Sequence, residues 1–232
     1  MTLDLSTLER RFGLLERRHR IGELDLRFVE PARPDDLVRQ LYPEVLAGES
    51  QGAGDAPTWP VCWPAAYGLA EHVVHALRPA GRSVLELGCG TAVPAVAAER
   101  AGADVLATDR DPLALVFARE NARRNACRRI RFASLDWFAP PPLPPFDVVL
   151  GADVVYLPDT FAALLDLAAA ALAPRGRFLL SDPDRPQMTD FLALARSRGW
   201  TVADAPWSTH LADSSHTGRI RILAPPGTPS RG

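Results

Sequence analysis

Leu5, Leu8, Phe12 and Leu15 recur at intervals of three and four, with Glu and Arg filling the other faces, the pattern of an amphipathic helix. Leu24, Leu26 and Phe28 then alternate with polar residues and predict a short strand before Pro31. Residues 32–46 carry a weaker helical pattern, and 47–58, AGESQGAGDAPT, read as a Gly/Ser/Pro-rich linker or mobile loop. That stretch divides an N-terminal extension, 1–58, from a domain over 59–232. The extension reads first as a packing arm, with substrate gating as the other reading.

From residue 59 onward, strand and helix patterns alternate. Helices are expected over 63–77, 92–101, 112–125, 159–173 and 187–198, and strands over 83–87, 104–108, 129–133, 146–152 and 177–181. Pro64 falls in the first turn of its helix, where its missing N–H is harmless. Such alternation implies an α/β fold, a parallel sheet with helices on both faces. The tail holds two further strand runs, 201–205 and 219–223, with no helix between them, so at least one tail strand is antiparallel.

The chemistry concentrates where the first of these strands ends. Glu86-Leu87-Gly88-Cys89-Gly90 joins strand to helix through a glycine turn, and such a turn lets a ligand approach the backbone closely. Dinucleotide enzymes cradle a pyrophosphate there. The third glycine of that fingerprint would stand at Val93, however, and Glu86 would repel a pyrophosphate. A carboxylate at that place suits a cation, which points to S-adenosylmethionine rather than a nicotinamide. Asp109 closes the second strand about 20 residues on, the distance at which an acid accepts ribose hydroxyls. It could instead cap the next helix, but Asp111 before Pro112 fills that role better. Asp136-Trp137 follows the third strand, either as an adenine site, with the carboxylate on the amino group and the indole on the ring, or as a capped turn with a buried Trp.

The totals narrow the class. In 232 residues, 47% are apolar, enough for one large core, and no apolar run is long enough to span a membrane. A net charge of −2 argues against broad nucleic-acid binding. The N-terminal residues lack a secretory pattern, so a cytoplasmic address is expected. Cys62, Cys89 and Cys127 lack metal-ligand spacing, and so do the histidines, although His72 and His75 share a helix face; no metal is expected. There is no lysine, so all 26 basic residues are arginines. The proline run 139–145 reads as a rigid spacer.

These motifs resemble the class I, seven-strand S-adenosylmethionine-dependent methyltransferases. More narrowly, the chain is similar to the protein-lysine methyltransferase family that includes the electron-transfer flavoprotein β-subunit lysine methyltransferase. The resemblance rests on WPVCWPAAYGLAEHV, the glycine-turn stretch from LELGCG to TDRDP, LDW, GADVVY and SDPDRPQ, and covers about 59–200. In the last segment Asp184 replaces the family's glycine. The resemblance implies strand order 3-2-1-4-5-7-6 with the last strand antiparallel. It implies that Trp63, Glu86, Gly88, Gly90, Asp109, Asp136 and Trp137 hold S-adenosylmethionine, which leaves as S-adenosylhomocysteine. Asp153 and Tyr156 would line the acceptor channel, Asp153 positioning a lysine amine. Asp182 and Arg185 would form an acceptor-side pair or a salt bridge bracing the proline turn. A protein acceptor is expected, and neither nucleic acid nor membrane; a small metabolite is the alternative acceptor. A non-catalytic relative that has lost the cofactor is disfavoured by the intact glycines and acids.

Overall fold

A computed structural model of the chain describes residues 4–43, 57–211 and 214–227. α1 (Leu5–Phe12) starts on Asp4, whose side chain accepts from the Thr7 N–H, and stops at Gly13, where φ is 68°. Leu15 therefore leaves the expected helix and joins β1 (Leu14–Ile21), which pairs antiparallel with β2 (Leu24–Pro31). The sequence pattern missed β1 because LLERRHRI puts charged residues on both faces. Inward-facing polar groups are satisfied instead: Arg17 Nε donates to the buried Glu30 Oε1 at 2.6 Å, and His19 Nε2 lies 2.9 Å from Glu71 Oε1. α2 (Pro34–Leu41) occupies the middle of the weak helical stretch. The expected linker, apart from residues 57 and 58, lies outside the described residues.

α3 (Pro64–His72) has Pro64 in its first turn and ends in a π-helical turn, Val73–Leu77. The alternating region follows as β3 (Ser83–Leu87), α4 (Val93–Arg100), β4 (Asp104–Asp109), α5 (Pro112–Arg124), β5 (Arg131–Ser134), β6 (Phe146–Ala152), α6 (Phe161–Ala171), β7 (Leu172–Asp182) and α7 (Pro186–Ser197). β8 (Thr201–Leu211) and β9 (Ser214–Ala224) close the chain as a hairpin much longer than the two short runs the pattern predicts. The seven-stranded sheet runs β5-β4-β3-β6-β7-β9-β8. β9 is antiparallel to both neighbours, as the helix-free tail requires.

Alternate residues of the central strands face opposite layers. Leu85, Val149 and Phe178 pack on α6 and α7. Val84, Val148 and Leu179 pack on α3, α4 and α5. In the tail hairpin Trp207 is wedged against glycine backbones: a Cβ on Gly68 or Gly218 would stand 2.4 or 2.5 Å from its indole.

The N-terminal hairpin is sewn to α5. Val29 N–H donates to Asn121 Oδ1 at 2.7 Å and Asn121 Nδ2 donates to the Val29 carbonyl at 3.1 Å. One helical turn later, Asn125 makes the same pair of bonds to Arg27, at 2.9 and 2.7 Å. The match is geometric: four helical residues rise ~6 Å and two strand residues ~6.8 Å. Asn121 Nδ2 also donates to the Thr91 carbonyl at 2.9 Å, which joins the hairpin to the glycine turn. Asn121→Leu would leave these backbone groups unpaired at a fully buried position. It is expected to lower unfolding free energy by about 1–3 kcal/mol, read as a lower urea midpoint at unchanged slope; a wild-type midpoint would show that the junction contributes nothing.

Candidate active site

The site forms where β3 and β4 end side by side. After Leu87 the chain turns through Gly88 and Gly90 at φ 64° and 51°, and Ala92 also takes a left-handed conformation at φ 62°. Glycine is required at the first of these positions twice over. Its backbone is left-handed, and a Cβ there would meet Val154 Cγ1 at 3.0 Å and the Trp137 ring at 3.4 Å. The turn is tied to β4 by Cys89 N–H on the Thr108 carbonyl at 2.8 Å. Thr108 Oγ1 reciprocates on the Glu86 carbonyl at 2.7 Å.

Two buried carboxylates face this turn. Glu86 Oε2 accepts from Ala95 N–H, in the first turn of α4, at 2.9 Å. Burial pushes the Glu86 carboxyl well above the usual range, and the charge of Asp109 adds to the effect. Asp109 accepts from Gly90 N–H on Oδ2 and from Asp111 N–H on Oδ1, both at 2.9 Å. Burial still raises its carboxyl above the ordinary value, against the pull of those two N–H groups.

Asp111 caps α5 through Leu113 N–H on Oδ1. Its Oδ2 accepts from Tyr42 OH at 2.6 Å and from Trp59 Nε1 at 2.8 Å. Tyr42 and Trp59 thus close the wall beside Asp109; the sequence marked Asp111 as a cap, but nothing in it signalled this second pairing. On the other wall Trp137 is half-buried against Gly88, and Asp136 accepts from Phe138 N–H at 2.9 Å, a capped turn at the rim.

Across the cavity, β6 delivers Asp153 at φ 55°, its N–H on the Ser181 carbonyl at 2.8 Å. Arg185 grips both oxygens of Asp153, Nε on Oδ1 at 2.6 Å and Nη2 on Oδ2 at 2.8 Å. Asp182 accepts from the backbone N–H of Arg185, at 2.9 Å, and not from its guanidinium. Burial pushes its carboxyl up to about 6. The arginine partner is therefore Asp153, not the Asp182 that adjacency suggested. Tyr156 OH lies 3.4 Å from Thr58 Oγ1, and the Thr58 carbonyl accepts from Trp63 Nε1 at 2.9 Å.

These walls enclose a cavity of about 890 Å³, within the ordinary range for small-molecule sites. Every predicted site residue except Asp182 and Arg185 lines it. Those two stand behind Asp153.

The lining fits S-adenosylmethionine. Gly88 and Gly90 line the cavity with bare backbone, which a ligand can approach closely. Each oxygen of Asp109 has one N–H partner and so retains a lone pair for a ribose hydroxyl. Glu86 would face the cofactor's cationic amino group and sulfonium, whose charge favours its ionised form, and Trp137 would offer an aromatic face to the base.

Asp109→Ala is expected to weaken cofactor binding by about 100-fold or more, two charged hydrogen bonds being lost, with the far-UV spectrum retained. Titration calorimetry reads this, and unchanged affinity would remove the ribose assignment. Glu86→Gln separates function from stability. A folded-state pKa raised above the unfolded value means that ionisation costs the fold, with no cost below the unfolded pKa and the full cost above the folded one. The apo variant should therefore melt no lower than the wild type at pH 7 while binding the cofactor ~10-fold more weakly, as loss of a charged contact implies. A lower melting temperature with intact affinity would make Glu86 structural.

The family described as Ribosomal protein L11 methyltransferase (PrmA) matches residues 39–206, from α2 into β8. Protein N-lysine methyltransferase METTL21A of Xenopus tropicalis is 34% identical over 151 residues, 62% of this chain and 69% of that protein. Histone-arginine methyltransferase METTL23 of Xenopus laevis is 31% identical over 158 residues, 65% of this chain and 64% of that one. The chain thus spans about two thirds of the length of these relatives. The crystal structure of ribosomal protein L11 methylase from Lactobacillus delbrueckii subsp. bulgaricus shares the fold, with a TM-score of 0.52 at 22% identity over 66% of this chain and 75% of that one. With the glycine turn, its two buried carboxylates and the strand order already in place, this match settles the family: the chain belongs to the Ribosomal protein L11 methyltransferase (PrmA) family of S-adenosylmethionine-dependent methyltransferases.

Proposed function

We propose that the chain transfers a methyl group to a lysine side chain of an acceptor protein, in the cytoplasm, with Asp153 and Tyr156 on the acceptor side. The observation that carries this reading is the make-up of the cavity's opening. Trp63 and Phe138 both line the cavity yet remain 37% and 64% exposed, so it reaches the surface between aromatic walls. A carboxylate, Asp153, lies inside at only 5% exposure. An opening with exposed aromatic residues and a buried carboxylate on the same cavity suits an apolar stem tipped with an amine, the description of a lysine. The lysine activity in the name of the METTL21A relative agrees.

When bound, S-adenosylmethionine supplies a methyl group on a sulfonium whose thioether leaves readily, so alignment is the main task left to the protein. Asp153 accepts a hydrogen bond from the incoming amine and Tyr156 walls the channel. The amine must arrive neutral, although its ordinary pKa is about 10.4; loss of water from the channel lowers that value. A small metabolite would fit the inner cavity, but it would make no use of Phe138, 64% exposed at the opening.

The test is incubation of the purified chain with methyl-labelled cofactor and a host lysate. Because the chain contains no lysine, it cannot itself be the source of methyl-lysine. The expected result is labelled protein that yields methyl-lysine on hydrolysis. Label confined to small molecules would favour the metabolite, and methyl-arginine alone would overturn the lysine reading.

A further inference from the structure

The Asp153–Arg185 fork carries an inference about how such an acceptor is kept reactive, and it rests on the lysine reading above. We infer that Arg185 is a positioning residue: it holds Asp153 in one orientation and cancels its charge, so that the acceptor amine is hydrogen-bonded without being trapped as an ammonium. An unpaired, nearly dry carboxylate at this place would bind the protonated amine best and oppose the reaction, since an opposite charge nearby favours the charged form.

The geometry suits the task. Arg185 does not line the cavity; it reaches Asp153 from behind, with Nε at 2.6 Å and Nη2 at 2.8 Å from separate oxygens. A two-pronged grip of this kind fixes the carboxylate plane and uses one lone pair on each oxygen. The remaining lone pairs are available to the cavity, which Asp153 lines. The guanidinium itself is braced. Arg185 precedes Pro186 at the start of α7, and its N–H is held by Asp182 Oδ1 at 2.9 Å. A guanidinium also keeps its charge at every working pH, so the cancellation persists where the amine titrates.

The neighbouring charges do not replace it. Asp182 is buried and carries an unpartnered Oδ2, so it adds negative charge beside Asp153. Tyr156 contributes a phenol on the cavity side. Arg221 is engaged by Asp184 at 2.6 Å and by Asp204 at 3.1 Å, and Arg219 by Asp184 at 3.4 Å. Among the described residues, Arg185 is the cation in contact with Asp153.

The experiment compares wild type, Arg185→Gln and Arg185→Lys from pH 7 to 9.5, a window above the titration of Asp182. The probe is the host lysate with saturating labelled cofactor, and the readout is the initial rate of methyl-lysine formation. Arg185→Gln is expected to lose about 10-fold or more at pH 7.5 and to recover much of that loss as pH rises, because each unit added to the amine's pKa cuts its reactive fraction tenfold. Arg185→Lys, a charge without the fork, should fall between. Cofactor affinity by calorimetry should stay within about twofold for both. A rate lowered equally at all pH values, or unchanged, would overturn the inference, as would loss of cofactor affinity in both variants. Absence of methyl-lysine with the wild type would instead overturn the lysine reading and this one with it.

Discussion

Asp109 must keep a carboxylate at a nearly dry position, and much of the site is arranged around that constraint. Its two backbone donors come from different places, Gly90 in the turn after β3 and Asp111 in the turn after β4. The carboxylate therefore bridges the two strand ends as well as facing the cavity. The left-handed backbone at Gly88 and Gly90 gives the turn the shape that aims the Gly90 N–H at it. The next acid along, Asp111, starts α5 and gathers Tyr42 and Trp59 over the same corner.

The two halves of the cavity treat negative charge in opposite ways. Glu86 and Asp109 are held by backbone N–H groups, which stabilise a carboxylate without neutralising it, and burial raises both carboxyls above their usual range. A cation entering that half relieves the cost. This is a site strained toward its ligand in the sense that stability and function compete. Across the cavity, Asp153 is already paired with a guanidinium, so its oxygens can accept hydrogen bonds while its own charge is balanced.

The local periodicities of the sequence were enough to place most of the sheet, because β3, β4, β6 and the helices between them are buried and regular. The glycine turn and its acids could be read because their spacing is local. What escaped was set by distant partners. β1 has no strand signature of its own because Arg17 and His19 point inward to meet Glu30 and Glu71. The tail strands were read too short because their outer halves alternate around Trp207 and Thr209, whose burial depends on α3. Sequence proximity offers Asp182 as a partner for Arg185, whereas the fork closes on Asp153, 32 positions away. Nor does anything around residue 42 announce that Tyr42 and Trp59 meet at one oxygen of Asp111.

The paired asparagines on α5 have a consequence for exchanging parts between proteins. Asn121 reads the backbone of β2 on one side and the Thr91 carbonyl on the other. Transplanting a foreign N-terminal segment would therefore not be a modular operation. A chimera would need a donor strand presenting its backbone to positions 121 and 125 in the same register, or a helix recoded to suit. The first strand pair and this one helical face have to be exchanged as a unit.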